Sequence, residues 1–164
     1  MRVTKGQQPD TYKHEVSRES GTNQERVFMG RLLRSAHRAF ATTIYQGLIE
    51  EGFSDLRPPH LVVFQYMRRG GRRASDLSEQ AQMTKQAMGY LISYLERQGY
   101  LERTPDSADG RATIITLTKR GKQVEVVANR IAAEIEDEWA RLLGGDRLQE
   151  LHQALSDLTT NLES

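Results

Sequence analysis

Thr84, Lys85, Gln86, Ala87 and Tyr90 fall within one short stretch, T-K-Q-A-M-G-Y. These residue types make and break no covalent bonds here; they donate and accept hydrogen bonds. A glutamine amide matches the edge of adenine, and lysine and threonine reach phosphate or guanine. The methyl of Ala87 can meet a thymine methyl, and the hydroxyl of Tyr90 can reach phosphate or base. Ala87 and Gly89 are small enough to let another surface approach closely. A second group, Asp109 and Arg111, lies in P-D-S-A-D-G-R-A. An arginine at the tip of a turn can enter a narrow minor groove, and an aspartate two residues before it can orient the guanidinium. Arg103 precedes that turn, and Arg68, Arg69, Arg72 and Arg73 form a basic run further upstream. All are candidates for phosphate contacts.

No other constellation competes. His14, His37, His60 and His152 are widely spaced, and no pair has metal-ligand spacing. There is no glycine-rich phosphate loop and no nucleophile elbow. The carboxylates read as ordinary helix charges, so neither an enzyme nor a cofactor or metal is expected. The chain has no cysteine, which excludes disulfides and thiol redox switching. Its net charge is +1, but the distribution is uneven. From Arg57 to Lys122 there are 12 Lys and Arg against 6 Asp and Glu; from Gln123 to Ser164 there are 3 against 9. A basic middle and an acidic end suit a protein that turns one region toward a polyanion. No apolar run approaches the ~18 residues of a membrane span, and the N-terminus lacks a signal-peptide core. A cytoplasmic location with no membrane partner is the expectation.

The elements that would position these residues follow from periodicity. Residues 1–22 are polar and read as a flexible N-terminal arm. Apolar residues from Val27 to Leu48 recur at helical spacing, predicting a helix over Asn23–Glu51 that Gly52 ends. Two short helices follow, His60–Arg69 behind the Pro58-Pro59 pair and Ala74–Gln80 with Ser75 as its cap. Thr84 then caps a helix over Lys85–Gln98, stopped by Gly99. On it Met88, Leu91, Ile92 and Leu95 form the inward stripe. That leaves Gln86, Ala87, Gly89, Tyr90, Ser93, Tyr94 and Arg97 outward. Tyr100–Thr104 and Ala112–Leu117 read as the strands of a hairpin. Thr118 caps a long helix to Leu143, and Asp146–Leu162 is a last amphipathic helix. The predicted class is therefore mainly α with a small β-hairpin wing: a winged helix-turn-helix with N- and C-terminal dimerisation helices. The organisation is arm 1–22, helix and connector 23–56, winged module 57–120, and C-terminal helices 121–164.

In that order of elements the chain resembles the MarR family over about Asn23–Leu162. The most specific part is T-K-Q-A-M-G-Y-L-I-S-Y-L-E-R-Q-G-Y-L-E-R (84–103) with P-D-S-A-D-G-R-A-T-I-I-T-L-T-K-R-G (105–121). The family's wing pattern falls on Asp109, Arg111, Leu117, Thr118 and Gly121. The resemblance implies a transcriptional regulator, a homodimer binding double-stranded DNA on a pseudo-palindrome through the residues above. It also implies a small aromatic or phenolic effector bound between the dimer helices and the winged module. Candidate lining residues are Arg34, His37, Arg38, Tyr45, His60 and Tyr66. A winged helix used only for protein–protein contact, without DNA binding, is the competing expectation.

Overall fold

The computed structural model of the chain describes residues 28–67, 70–105 and 113–162. The predicted N-terminal arm, the start of the first predicted helix, Arg68 and Arg69 lie outside the described residues, as do Asp109 and Arg111 of the predicted wing. The described residues form α1 (Met29–Glu50), α2 (Pro58–Tyr66), α3 (Ala74–Gln80), α4 (Lys85–Arg97), β1 (Leu101–Pro105), β2 (Thr113–Leu117), α5 (Lys119–Leu143) and α6 (Gly145–Leu162).

Local chemistry explains most boundaries. Thr84 accepts the Ala87 N–H at 3.1 Å and so starts α4. The helix stops in a Schellman motif: Tyr100 N–H bonds Leu95 O, Gly99 N–H bonds Glu96 O, and Gly99 takes φ +74°. The same pair of bonds ends α1 across Gly52 and Phe53. Thr118 accepts the Gly121 N–H at 3.1 Å to start α5, while its own hydroxyl donates to Gly99 O at 2.6 Å. One side chain thus joins the stop of α4 to the start of α5. Helix α2 begins on Pro58 and Pro59, and the His60 ring reaches back to accept the Arg57 N–H at 3.0 Å.

The predicted cap of α3 needs correction. Its N-cap is Arg73, with no side-chain cap, and Ser75 lies inside the first turn donating to Asp76. The reason is a backbone bridge that sequence periodicity does not reveal. Arg72 N–H bonds Ile115 O at 3.0 Å, and Ile115 N–H bonds Arg72 O at 2.8 Å. Arg72 thereby adds a third, one-residue strand to the antiparallel β1–β2 pair, whose register runs from Leu101 opposite Leu117 to Pro105 opposite Thr113. Gly71 makes this possible: its φ is +84°, and a Cβ there would stand 2.6 Å from Ile115 O. Helix α2 also ends at Tyr66, earlier than predicted, with Met67 already extended and buried.

A single core joins α1 through α5. Leu48, Leu56, Val63, Leu77, Met88, Ile92 and Leu95 are fully inaccessible, so the predicted inward stripe of α4 is the observed one. Each such side chain contributes about 1.5–3 kcal/mol by leaving water. Helix α1 lies across α5 so closely at Gly47 that a Cβ there would meet Ile131. Further along the same crossing, Phe40 packs on Trp139 with ring centroids 5.8 Å apart.

The outer ends of the long helices contrast with that core. The first turns of α1 expose Phe28, Met29, Leu32 and Leu33. On α6 no residue is buried, and Leu151, Leu158 and Leu162 face out; Leu142 near the end of α5 does the same. No helix of the described residues is long and apolar enough to cross a membrane.

Candidate nucleic-acid interface

The face of α4 opposite the core stripe carries the residues singled out above. Thr84, Lys85 and Gln86 are exposed in the cap and first turn, Ala87 and Gly89 are half-buried, and Tyr90 stands out at 71% exposure. Gln86 and Tyr90 are one turn apart on a helix whose start is capped and whose far side is packed solid. Such a surface is presented without having to be ordered first.

Tyr94 departs from the predicted outward face. Its hydroxyl donates to Asp55 O at 2.7 Å, and its ring stacks on His60 with centroids 4.2 Å apart. It holds α4 to the α1–α2 connector. Arg103, on β1, donates through Nε to Glu96 at 2.7 Å, tying the wing to the last turn of α4. Both partners are partly exposed, so this pair contributes at most about 1 kcal/mol. Its effect is to fix where the Arg103 guanidinium sits. Arg72 spends its backbone on the bridge to Ile115, and Arg73 begins α3.

The residue that sequence reasoning missed is Asp55. Its carboxylate accepts two bonds from Arg120 Nη2, at 2.9 and 3.2 Å, and one from the Tyr100 hydroxyl at 2.5 Å. Arg120 also donates to Gln98 O at 2.7 Å and lies 4.2 Å from the Tyr100 ring centre. This cluster binds the connector, the stop of α4, the start of β1 and the start of α5 to one another. Burial pushes the Tyr100 phenol well above its ordinary pKa, and donation to the Asp55 carboxylate pushes the same way. His60 moves oppositely: burial lowers its pKa, with the Arg57 charge acting in the same direction.

This is the geometry of a helix held proud of a small domain with a hairpin beside it. Residues 54–112 match the sequence profile of the MarR family. Over that segment, a little more than a third of its length, the chain is similar to the MarR family. The matched MarR segment runs from the connector that carries Asp55 into the wing. Among relatives, the transcriptional activatory protein BadR of Rhodopseudomonas palustris is 28% identical over 95 residues, which are 57% of this chain and 53% of BadR. The alignment thus spans about half of BadR's length. Among solved structures, the transcriptional regulator Tm0710 from Thermotoga maritima superposes with a TM-score of 0.59 at 25% identity, covering 82% of this chain and 93% of that one. The transcriptional repressor CouR, bound to a 23-mer DNA duplex, shares the fold at a TM-score of 0.62 and 20% identity, over 87% of this chain and 99% of CouR. All three are named as transcriptional regulators, and none as an enzyme.

A cavity of about 520 Å³ opens between α1, α2 and α5. Of the six residues expected to line a ligand site, His37 lines this one. Arg34 and Arg38 are exposed elsewhere on α1, and Tyr45 is half-buried there. Tyr66 packs at the edge of the core, and His60 is buried in the helix-start contact with Arg57. Among the described residues no three His, Cys, Asp or Glu side chains gather as metal ligands.

Proposed function

We propose that this chain is a MarR-family transcriptional regulator, acting as a homodimer on a pseudo-palindromic DNA site, as a repressor whose affinity is set by a small ligand. The observation that carries the reading is the exposed Gln86–Tyr90 face of a capped, core-packed α4 beside the hairpin. In this reading α4 enters the major groove, with Gln86 at base edges, Ala87 against a thymine methyl, and Thr84, Lys85 and Tyr90 at phosphate or base. Arg103 stays by the backbone. Arg111, oriented by Asp109, enters the flanking minor groove. The DNA duplex named for CouR favours the same partner here.

Dimerisation is supported by the apolar side chains left facing outward on α1 and α6. Contiguous exposed apolar surface on a small domain marks an interaction site. A two-fold pair would set two copies of α4 about 34–36 Å apart, one turn of DNA. The cavity between α1, α2 and α5 is the proposed effector site, since a ligand there touches both the outer helices and the base of the winged module.

Anisotropy titration of the full chain against mixed genomic fragments tests the DNA reading. Affinity should fall steeply between about 50 and 200 mM salt. Negligible binding at low salt would leave the winged helix as a protein-contact module. Arg111→Ala should weaken operator binding markedly with the dimer intact; unchanged affinity refutes its role in the wing. Deleting the gene should raise transcription of its targets, and a fall would overturn repression.

A further inference from the structure

The walls of the cavity between α1, α2 and α5 are aromatic and aliphatic, with Phe40 and Phe64 among them. Its polar groups are His37, Gln65, Glu125 and Asn129. Among the described residues no lysine, arginine or tyrosine lines it, and Glu125 is the lining residue with a fixed charge. Glu125 sits half-buried on α5. Its carboxylate has no hydrogen-bond or ion-pair partner among the described residues, whereas Glu51, Glu96 and Glu134 each hold an arginine.

Those facts set a sign on what the cavity accepts. A carboxylate ligand would leave water for a largely apolar cavity in which no described lysine or arginine meets it and a carboxylate already stands. An organic cation meets the opposite conditions. It gains the Coulomb attraction of Glu125, and aromatic faces to lie against. The volume is in the range that encloses one drug-sized molecule. We infer that this cavity binds an apolar organic cation, of the aryl-ammonium, amidinium or phosphonium kind, and rejects aromatic carboxylates, with Glu125 as the selecting residue. The inference deepens the effector reading above and rests on it for its regulatory consequence, but not for the binding itself.

Tetraphenylphosphonium and tetraphenylborate test it, being nearly identical in shape and opposite in charge. Each is titrated calorimetrically into the full chain at pH 8. The phosphonium should bind at least tenfold tighter, which is about 1.4 kcal/mol. Glu125→Gln, nearly isosteric and on a half-exposed helix face, should fold as the wild type and erase most of that preference. Equal affinity, tighter binding of the borate, no heat with either ion, or a preference that survives Glu125→Gln would each overturn the inference. A separate arm adds the phosphonium to the protein–DNA complex. Binding to the free protein with no change in DNA affinity would sink the effector reading and leave charge selection standing.

Discussion

Replacing Asp55 with alanine removes three hydrogen bonds in one step, two from Arg120 and one from Tyr100. The two losses differ in kind. The Arg120–Asp55 pair is partly solvated, with side chains 42% and 27% exposed, so water replaces much of what is lost and the net cost is about 0.5–1 kcal/mol. Tyr100 is fully buried, so its hydroxyl has no water to turn to. An unsatisfied buried hydroxyl costs about 1–3 kcal/mol. Asp55→Ala should therefore lose about 2–3 kcal/mol. Asp55→Asn keeps an oxygen facing Tyr100 but gives up the charge and the second acceptor for Arg120, so it should lose about 1 kcal/mol. Urea unfolding followed by far-ultraviolet circular dichroism, at one fixed protein concentration, measures both. Adding Arg120→Ala closes a double-mutant cycle, in which a coupling above about 0.5 kcal/mol is expected. Equal losses for Asp55→Ala and Asp55→Asn, or strict additivity with Arg120→Ala, would refute the account of Asp55 as the anchor of both groups.

Other consequences are equally open to measurement. The lowered His60 pKa means that the unfolded chain takes up a proton first as pH falls. The stability from a neutral His60 is complete above about pH 6.5, the ordinary imidazole value, and is lost as pH drops below it, with a slope of at most about 1.4 kcal/mol per unit. His60→Asn should flatten that slope in urea melts at pH 5.5, 6.5 and 7.5; parallel slopes would contradict it. Gly71→Ala adds a Cβ against Ile115 O at a positive φ, whereas Gly70→Ala has a positive φ but open space around it. The first should cost about 2–3 kcal/mol and the second about 1; equal losses would mean that the approach to β2 is not the constraint. Leu33→Glu with Leu158→Glu should yield a monomer of unchanged helix content by light scattering; a wild type that is itself monomeric at tens of micromolar removes the basis for the dimer.

What could be read from the sequence was set by local forces. Thr84 and Thr118 cap their helices through bonds that span three residues, and the Met88–Leu95 stripe repeats within one helix. Periodicity and propensity see that range. Ser75 looked like a cap because its type fits, but the pairing of Arg72 with Ile115 decides where α3 starts, and that contact lies between segments far apart in the chain. Tyr94 sits at the border of the inward stripe, and only the distant Asp55 and His60 turn it inward. Asp55 and Arg120 are 65 residues apart, with nothing in either neighbourhood to announce the other. The cavity follows the same rule. Polar residues of α1 were visible as candidates, but which of them face a hollow depends on where α5 crosses, and Gly47 against Ile131 sets that crossing.

The contact between Phe40 and Trp139 has a practical use. Trp139 is the chain's single tryptophan, and its ring partner Phe40 also forms part of the cavity wall. Indole emission therefore comes from one known place, beside the proposed ligand cavity and on the crossing that joins the two long helices. A molecule pressing on Phe40 changes the surroundings of the single tryptophan, so occupancy can be followed on unlabelled protein by intrinsic fluorescence excited selectively at the indole. Phe40→Leu, which keeps an apolar wall but removes the ring pair, supplies the control for that signal.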